Sequence, residues 1–242
     1  MLAGTDERKL SSLMNRSLPQ PSPVLRPGGM ILAGGRSLRM GRPKAWLKID
    51  GRTLLETVVD SLGRGLAMVG PSPGGGLPPL LVVGAPGQAL PALPPAVRRV
   101  DDAVEGRGPL QGIAAGLAAL EKTADAVYVS SCDVPLLKPA FVRLLFALLG
   151  DAEVAVPLAG GRQHPLAAVY RPSLSPRVRS LLAAGERRPR RLFEIVRTRR
   201  VEEETLREVD PGLDSLRNLN TPAEYHEIAS STPQAPGGRR PG

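Results

Sequence analysis

Residues 30–47 read MILAGGRSLRMGRPKAWL, an apolar run from Met30 that stops at two glycines, Gly34 and Gly35. Four cations then follow closely: Arg36, Arg39, Arg42 and Lys44. A strand ending in glycines lets backbone N–H groups approach an anion with no Cβ in the way. Arg39 and Lys44 are the cations suited to polyphosphate oxygens, the first as a fork and the second as a point charge. Two common nucleotide loops are excluded. Gly41 is followed by Arg42 rather than Lys-Ser/Thr, and no G-x-G-x-x-G follows the strand. The glycine pair alone equally describes a tight βα turn with solvated cations. Arg39, Met40, Gly41 and Lys44 together argue against that reading.

Outward from this stretch, apolar runs alternate with helical patterns. Strands are expected at 29–34, 79–84, 97–100, 125–131, 152–157 and 165–171, and helices at 53–62, 109–122, 139–150, 175–185 and 221–229. Continuous rather than alternating apolar strands indicate parallel strands covered on both faces. The expected fold is α/β: a single three-layer α/β/α domain with a mostly parallel, Rossmann-like sheet. In such sheets ligands bind just beyond the carboxyl ends of strands. Gly112, Ala115, Gly116 and Ala119 give the second helix a small-residue face for close approach to the sheet. TPAE (221–224) reads as a capping box opening the last helix.

The chain has 242 residues and a formal charge of +9. That excess lies in residues 1–27, 231–242 and the arginine-rich GERRPRRLFEIVRTRR (185–200), and the remainder is balanced. A uniformly basic nucleic-acid-binding domain is not distributed this way. Residues 1–27 and 231–242 are expected to be disordered tails around a domain at 28–230. One cysteine fits a reducing compartment, and neither a membrane span nor a secretory leader is evident, so a cytoplasmic setting is expected.

Two further strand ends carry carboxylates. Asp133, in VYVSSCDVPLL, stands where a hard divalent cation such as Mg²⁺ can be held. Asp102, in RRVDDAVEGRGPLQG, ends a shorter strand; it or Asp101 also suits a plain turn, as does Asp133 taken alone. Together the three strand ends describe a phosphoryl- or nucleotidyl-transfer site.

LAGGRSLRMGRPK (32–44) resembles the L-A-G-G-x-S-x-R-M-G-x-x-K signature of nucleotidyltransferases with a glycosyltransferase-A-like fold, the nucleotide-diphospho-sugar transferase type. GPLQGI (108–113), SCDVPLL (131–137), HPLAAVYR (164–171) and NLNTPAEY (218–225) resemble, in order, the later motifs of the molybdenum cofactor guanylyltransferase branch. The resemblance implies transfer of GMP from GTP to Mo-molybdopterin with release of pyrophosphate, using Mg²⁺. It implies nucleotide contacts at Leu32, Ala33, Gly34, Gly35, Lys44, Asp102 and Asp133, metal binding at Asp133, and a catalytic set of Arg39, Lys44 and Asp133. His164, Arg187, Arg188 and Asn220 are its pterin-side candidates. Transient contacts with other proteins of molybdenum cofactor biosynthesis also follow from it. Some relatives place an asparagine for base recognition where this chain has VVGAP (82–86), so Gly84 offers only backbone there.

Other residues have competing readings. Cys132 reads as packed rather than nucleophilic, His226 as surface, and His164 equally as a structural residue before proline. The 185–200 segment reads as a solvated helix surface, as the landing site of the pterin phosphate, or as a partner patch. Asn218 and Asn220 also suit plain turn shaping before a capped helix. Alternative activities are cytidylyl transfer to the same cofactor, a sugar-phosphate or cobinamide-phosphate nucleotidyltransferase, or a non-catalytic nucleotide- or RNA-binding module. Only Phe193 interleaves the arginines, which argues against RNA.

Overall fold

The computed structural model describes residues 25–34, 43–71, 75–102 and 108–231. The tails expected at 1–27 and 231–242 lie almost wholly outside these residues, as do Gly35, Arg36, Arg39, Met40, Gly41 and Arg42 of the opening loop.

Seven strands follow one another across the main sheet: β10 (Thr198–Glu202), β7 (Val154–Ala159), β9 (Ala167–Tyr170), β6 (Ala126–Ser131), β1 (Pro27–Leu32), β4 (Leu80–Gly84) and β5 (Val97–Asp101). β8 (Arg162–Gln163) pairs with β7 off this path, and β2 (Lys48–Ile49) forms a separate hairpin with β3 (Arg52–Thr53). The β5-β4-β1-β6 half is parallel, β9 is antiparallel to both β6 and β7, and β10 is parallel to β7. The sheet is therefore mixed, with the mostly parallel character expected of it.

Helices α1 (Leu54–Val69) and α3 (Pro139–Leu149) cover one face through Leu55, Val58, Leu62, Phe141 and Leu145, packed on Ile31 and Tyr128. Helices α2 (Pro109–Leu120) and α4 (Ser175–Ala183) cover the other through Leu110, Ile113, Leu117 and Val178, packed on Met30, Leu32 and Val129. The alternation of Met30, Ile31 and Leu32 between two cores follows from the period-two geometry of a strand covered on both sides. The small-residue face of α2 has its expected use. A Cβ on Gly116 would lie 2.4 Å from Met30 Sδ, and one on Gly112 would lie 3.2 Å from Leu32 Cδ2.

Several expectations are corrected. β1 spans Pro27–Leu32 rather than 29–34, and Arg26 just ahead of it pairs with Asp125 at 2.7 Å. α1 extends past Gly63 to Val69 because Gly65 admits Val142 of α3, whose side chain would touch a Cβ there at 2.7 Å. The 185–200 segment is not a helix surface: Pro189–Glu194 is a 3-10 turn burying Leu192 and Phe193, and Thr198–Glu202 is an edge strand. The hairpin β2–β3 and the short helix α5 (Glu203–Arg207) were not expected. Among the described residues no helix is long and apolar enough to cross a membrane.

Candidate functional site

β1 and β6 are parallel neighbours, yet the chain leaving β1 crosses to β4 and the chain leaving β6 crosses toward β7 on the other side. Their carboxyl ends therefore flank a crevice, where ligands bind in sheets of this kind. The Cys132 N–H donates to the Leu32 carbonyl at 3.1 Å and carries the pairing one step beyond the strands. Asp133 follows immediately and is 7% exposed.

Every carboxylate oxygen of Asp133 is engaged. Oδ2 accepts from Lys44 Nζ at 2.6 Å, and Oδ1 accepts from Asn218 Nδ2 at 2.9 Å and from the Ser131 hydroxyl. Lys44 Nζ also donates to Asn220 Oδ1 at 2.9 Å. Lys44 opens a 3-10 turn, Lys44–Trp46, anchored by the buried Ala45. An ammonium and a carboxylate thus face each other in a half-enclosed crevice, each held by the amide of an asparagine. Polar partners of this kind offset the desolvation of the pair.

Residues 218–220 reach the crevice because the end of the chain is fastened on three sides. Leu219 is buried against Ile49, Leu54 and Ile228, and its N–H donates to the Asp133 carbonyl at 2.8 Å. Upstream, Lys138 at the start of α3 pairs with the buried Asp210 at 2.6 Å and with Asp214 at 3.0 Å. Downstream, the capping box of α6 (Pro222–Ser231) forms as expected. The Glu224 N–H donates to Thr221 Oγ1 at 3.2 Å, and Glu224 Oε2 accepts from the N–H of Thr221 at 3.0 Å. The same oxygen accepts from the Asn220 N–H at 2.7 Å, so the cap also orients the asparagine on Lys44. The Asn220 and Thr221 amides hold the Glu224 carboxyl below its usual range.

The remaining site candidates spread along the same edge of the sheet. Leu32 ends β1 and Ala33 follows it, both buried, and Gly34 is exposed just beyond. The Asp102 N–H donates to the Gly84 carbonyl at 2.7 Å, which places it at the exits of β4 and β5. Three strand spacings of about 4.8 Å separate the β5 and β6 exits, roughly 14 Å in all. His164 lies between β8 and β9, on the other side of β6. Its Nε2 is 3.3 Å from the Ala159 carbonyl oxygen, and burial, aided by repulsion from Arg162 and Arg190, lowers its pKa although the Ala159 carbonyl opposes this. Arg187 is exposed and its carbonyl lies against Gly108 at the head of α2, 3.5 Å from where a Cβ would be. Arg188 is committed to Glu186 through contacts of 2.9 Å. Asn220, a pterin-side candidate by sequence, stands on Lys44. Asn218, for which turn shaping sufficed, holds the carboxylate; only the NxN spacing in NLNTP hinted at either contact. Cys132 is buried, and burial together with the neighbouring Asp133 pushes its thiol up to about 12, which disqualifies it as a nucleophile.

A family model described as the MobA-like NTP transferase domain matches residues 29–204. A protein of Mycobacterium bovis named probable molybdenum cofactor guanylyltransferase is 39% identical over 203 residues, covering 82% of this chain and 90% of its own. This chain belongs to the MobA-like NTP transferase family. Among solved structures, molybdopterin-guanine dinucleotide biosynthesis protein A of Archaeoglobus fulgidus superposes with a TM-score of 0.66 at 20% identity, covering 84% of this chain and 97% of that one. A Mycobacterium tuberculosis H37Rv protein crystallised with manganese superposes with a TM-score of 0.57 at 16% identity, covering 86% of this chain and all of that one. The match to the MobA-like domain includes Lys44 and Asp133 but stops before Asn218 and Asn220. The asparagines of this family member therefore come from a C-terminal limb beyond the matched domain.

Proposed function

We propose that this chain transfers GMP from GTP to the terminal phosphate of Mo-molybdopterin, releasing pyrophosphate. The supporting observation is the Lys44–Asp133 pair at the switch of the sheet, with Asn218 and Asn220 holding its two ends. Lys44 is positioned for the triphosphate, with Arg39 of the opening loop as its intended companion. The backbone of Leu32, Ala33, Gly34 and Gly35 and the side chain of Asp102 are assigned to the nucleotide. His164, beyond β6, and Arg187, beside Gly108 at the head of α2, are assigned to the pterin, and Arg188, paired with Glu186, is assigned there with them.

The residues present fit Mg²⁺. That ion commonly takes one or two carboxylates and completes its shell with water and substrate phosphates. Asp133 Oδ2 already accepts a cationic donor, and among the described residues no cluster of three or more His, Cys, Asp or Glu side chains forms an all-protein cage. Bound on Asp133, a divalent ion supplies charge neutralisation at the phosphates. The acceptor phosphate has a second pKa of about 6 and needs no general base at neutral pH. Catalysis on this reading is the holding of two polyanions in line, with Lys44 stabilising the charge that develops on the transferred and departing phosphates. A buried Cys132 fits chemistry that needs no thiol nucleophile. A cytoplasmic setting belongs to the same proposal and is supported by the single, buried, free cysteine.

The test offers the purified protein each nucleoside triphosphate with Mg²⁺ and Mo-loaded molybdopterin, and identifies the product by mass. A guanine dinucleotide product is expected with GTP, and none from Asp133→Asn. A preference for CTP overturns the guanylyl assignment. Turnover by Asp133→Asn at near-normal rates overturns the metal assignment.

A further inference from the structure

The loop that carries Asp133 runs alongside the limb that carries the two asparagines. At one end the Leu219 N–H donates to the Asp133 carbonyl at 2.8 Å, and at the other the Lys138 N–H donates to the Ser215 hydroxyl oxygen at 3.0 Å. Residues 133–138 and 215–219 therefore lie antiparallel and are joined at both ends. The Lys138 end also carries charge. Lys138 Nζ meets Asp210 Oδ1 at 2.6 Å and Asp214 Oδ2 at 3.0 Å, and Asp210 Oδ2 accepts from the Ser215 N–H at 2.8 Å.

Lysine is an unfavourable choice for this position if only the helix is considered. Lys138 is the N-cap of α3 and its side chain makes no capping bond. N-caps favour Ser, Thr, Asp or Asn, and the helix dipole disfavours a cation there. The ammonium instead reaches two carboxylates of the limb. Asp210 is fully buried, and a buried carboxylate requires a partner, so the limb docks where Lys138 meets it. The buried Leu219 pins the limb at a single point, about which it could pivot. A second anchor fixes its direction as well.

We infer that Lys138 is a positioning residue for the transfer site: by fixing the limb through Asp210, Asp214 and Ser215, it holds Asn218 on Asp133 and Asn220 on Lys44. Lys138 acts through the asparagines, at one remove from the groups assigned to metal and phosphates. The inference rests on the nucleotidyl-transfer reading above.

Wild type, Lys138→Met and Lys138→Arg are compared by pyrophosphate release from GTP with Mg²⁺ and Mo-loaded molybdopterin, and by amide hydrogen exchange without substrate. Met leaves Asp210 buried and unpaired, so the double variant Lys138→Met/Asp210→Asn, which removes both charges, is measured beside it. Both Met variants are expected to lose about tenfold in kcat/KM, the lower end of the effect of removing groups that orient a metal ligand. Arginine still bridges two carboxylates and should stay within about threefold of wild type. Amides of residues 213–220 should exchange about tenfold faster in the Met variants, with those of β6 unchanged. In an Asn218→Ala/Asn220→Ala background, Lys138→Met should cost less than about twofold, because the groups it positions are gone. Wild type that releases no pyrophosphate overturns the nucleotidyl-transfer reading itself. With active wild type, unchanged exchange at 213–220, unchanged kcat/KM in the Met variants, or an undiminished loss in the asparagine-free background each overturns the role of Lys138.

Discussion

Replacing Asn218 by alanine separates a turn-forming role from a role in the site. Asn218 Nδ2 donates at 2.9 Å to Oδ1 of a carboxylate whose residue is 7% exposed, so solvent replaces the lost donor poorly. A hydrogen bond to a charged group contributes about 1.5–3 kcal/mol. At ~1.36 kcal/mol per decade this corresponds to roughly 10- to 150-fold. Ser131 continues to serve the same oxygen, which places the expected loss in the lower half, about 10- to 50-fold in kcat/KM. Partners that orient metal ligands show losses of about 10–100-fold. The assay is steady-state pyrophosphate release across a Mg²⁺ titration, with Tm measured alongside. The Mg²⁺ midpoint should move upward, and Tm should fall by only about 2–4 °C, equivalent to ~1 kcal/mol in a chain of this size. Ser131→Ala should act on the same oxygen, so the double variant should deviate from the product of the single losses. A kcat/KM within threefold of wild type, accompanied by a larger drop in Tm, refutes the reasoning and leaves Asn218 a turn residue.

Lys44→Ala should lower kcat by about a hundredfold or more, as loss of one charge-stabilising donor commonly does. The same variant should bind Mn²⁺ more tightly than wild type in calorimetry without nucleotide, because it removes the ammonium 2.6 Å from the oxygen proposed to hold the metal. Gly65→Ala should destabilise by about 1–2 kcal/mol in urea: the new Cβ meets Val142 Cβ at 2.7 Å, and overpacking of about 1–3 kcal/mol exceeds the helix-propensity gain of ~1. Val142→Gly in the same background, which removes the clashing Cβ, should relieve the contact that Val142→Ala leaves in place. Burial pushes the Asp210 carboxyl up, but Lys138, the Ser215 N–H and hydroxyl and the Asp214 N–H outweigh it, leaving the pKa below 3.8. Its contribution to stability is therefore full above the unfolded value and lost as pH falls through the lower folded value. Urea midpoints should drop below about pH 4, and Asp210→Asn should flatten that drop.

What the sequence disclosed and what it hid divide along physical lines. The central strands were legible because Met30–Leu32 and Val127–Val129 are covered on both sides and so read as unbroken apolar runs. β10 was not legible: TRRVE lies at the sheet's edge, and of its five residues only Val201 is buried. The β2–β3 hairpin is too short for a pattern, although its Asp50–Gly51 corner, with φ of 50° and 79°, is a type of turn that Asp-Gly favours. The chemistry-bearing residues showed themselves where they ended strands, as Lys44's loop and Asp133 do. Asn218 and Asn220 did not, because asparagine before a capped helix satisfies local turn geometry by itself. Their function depends on partners 85 and 176 residues away.

That separation explains how the site is assembled. Lys44 is delivered from the loop after β1, Asp133 from the end of β6, and both asparagines from a limb that the matched domain does not include. Before substrate arrives, the ammonium and the carboxylate satisfy each other. On the proposed reading, a triphosphate would offer Lys44 oxygens of higher charge and a divalent cation would offer Asp133 a stronger partner, and each exchange made alone would carry a cost. A cation entering without nucleotide leaves Lys44 displaced beside a dication in a half-enclosed crevice, and nucleotide entering without cation leaves Asp133 facing phosphates of its own sign. At an effective dielectric of about 20, unit charges 4 Å apart interact by roughly 4 kcal/mol, so either half-exchange carries a substantial penalty. Taken together the two exchanges would remove both repulsions, so the proposed reading expects nucleotide and metal binding to reinforce each other by linkage. The asparagines keep the carboxylate and the ammonium oriented through the exchange, since an amide can serve Asp133 or Lys44 without competing for either charge.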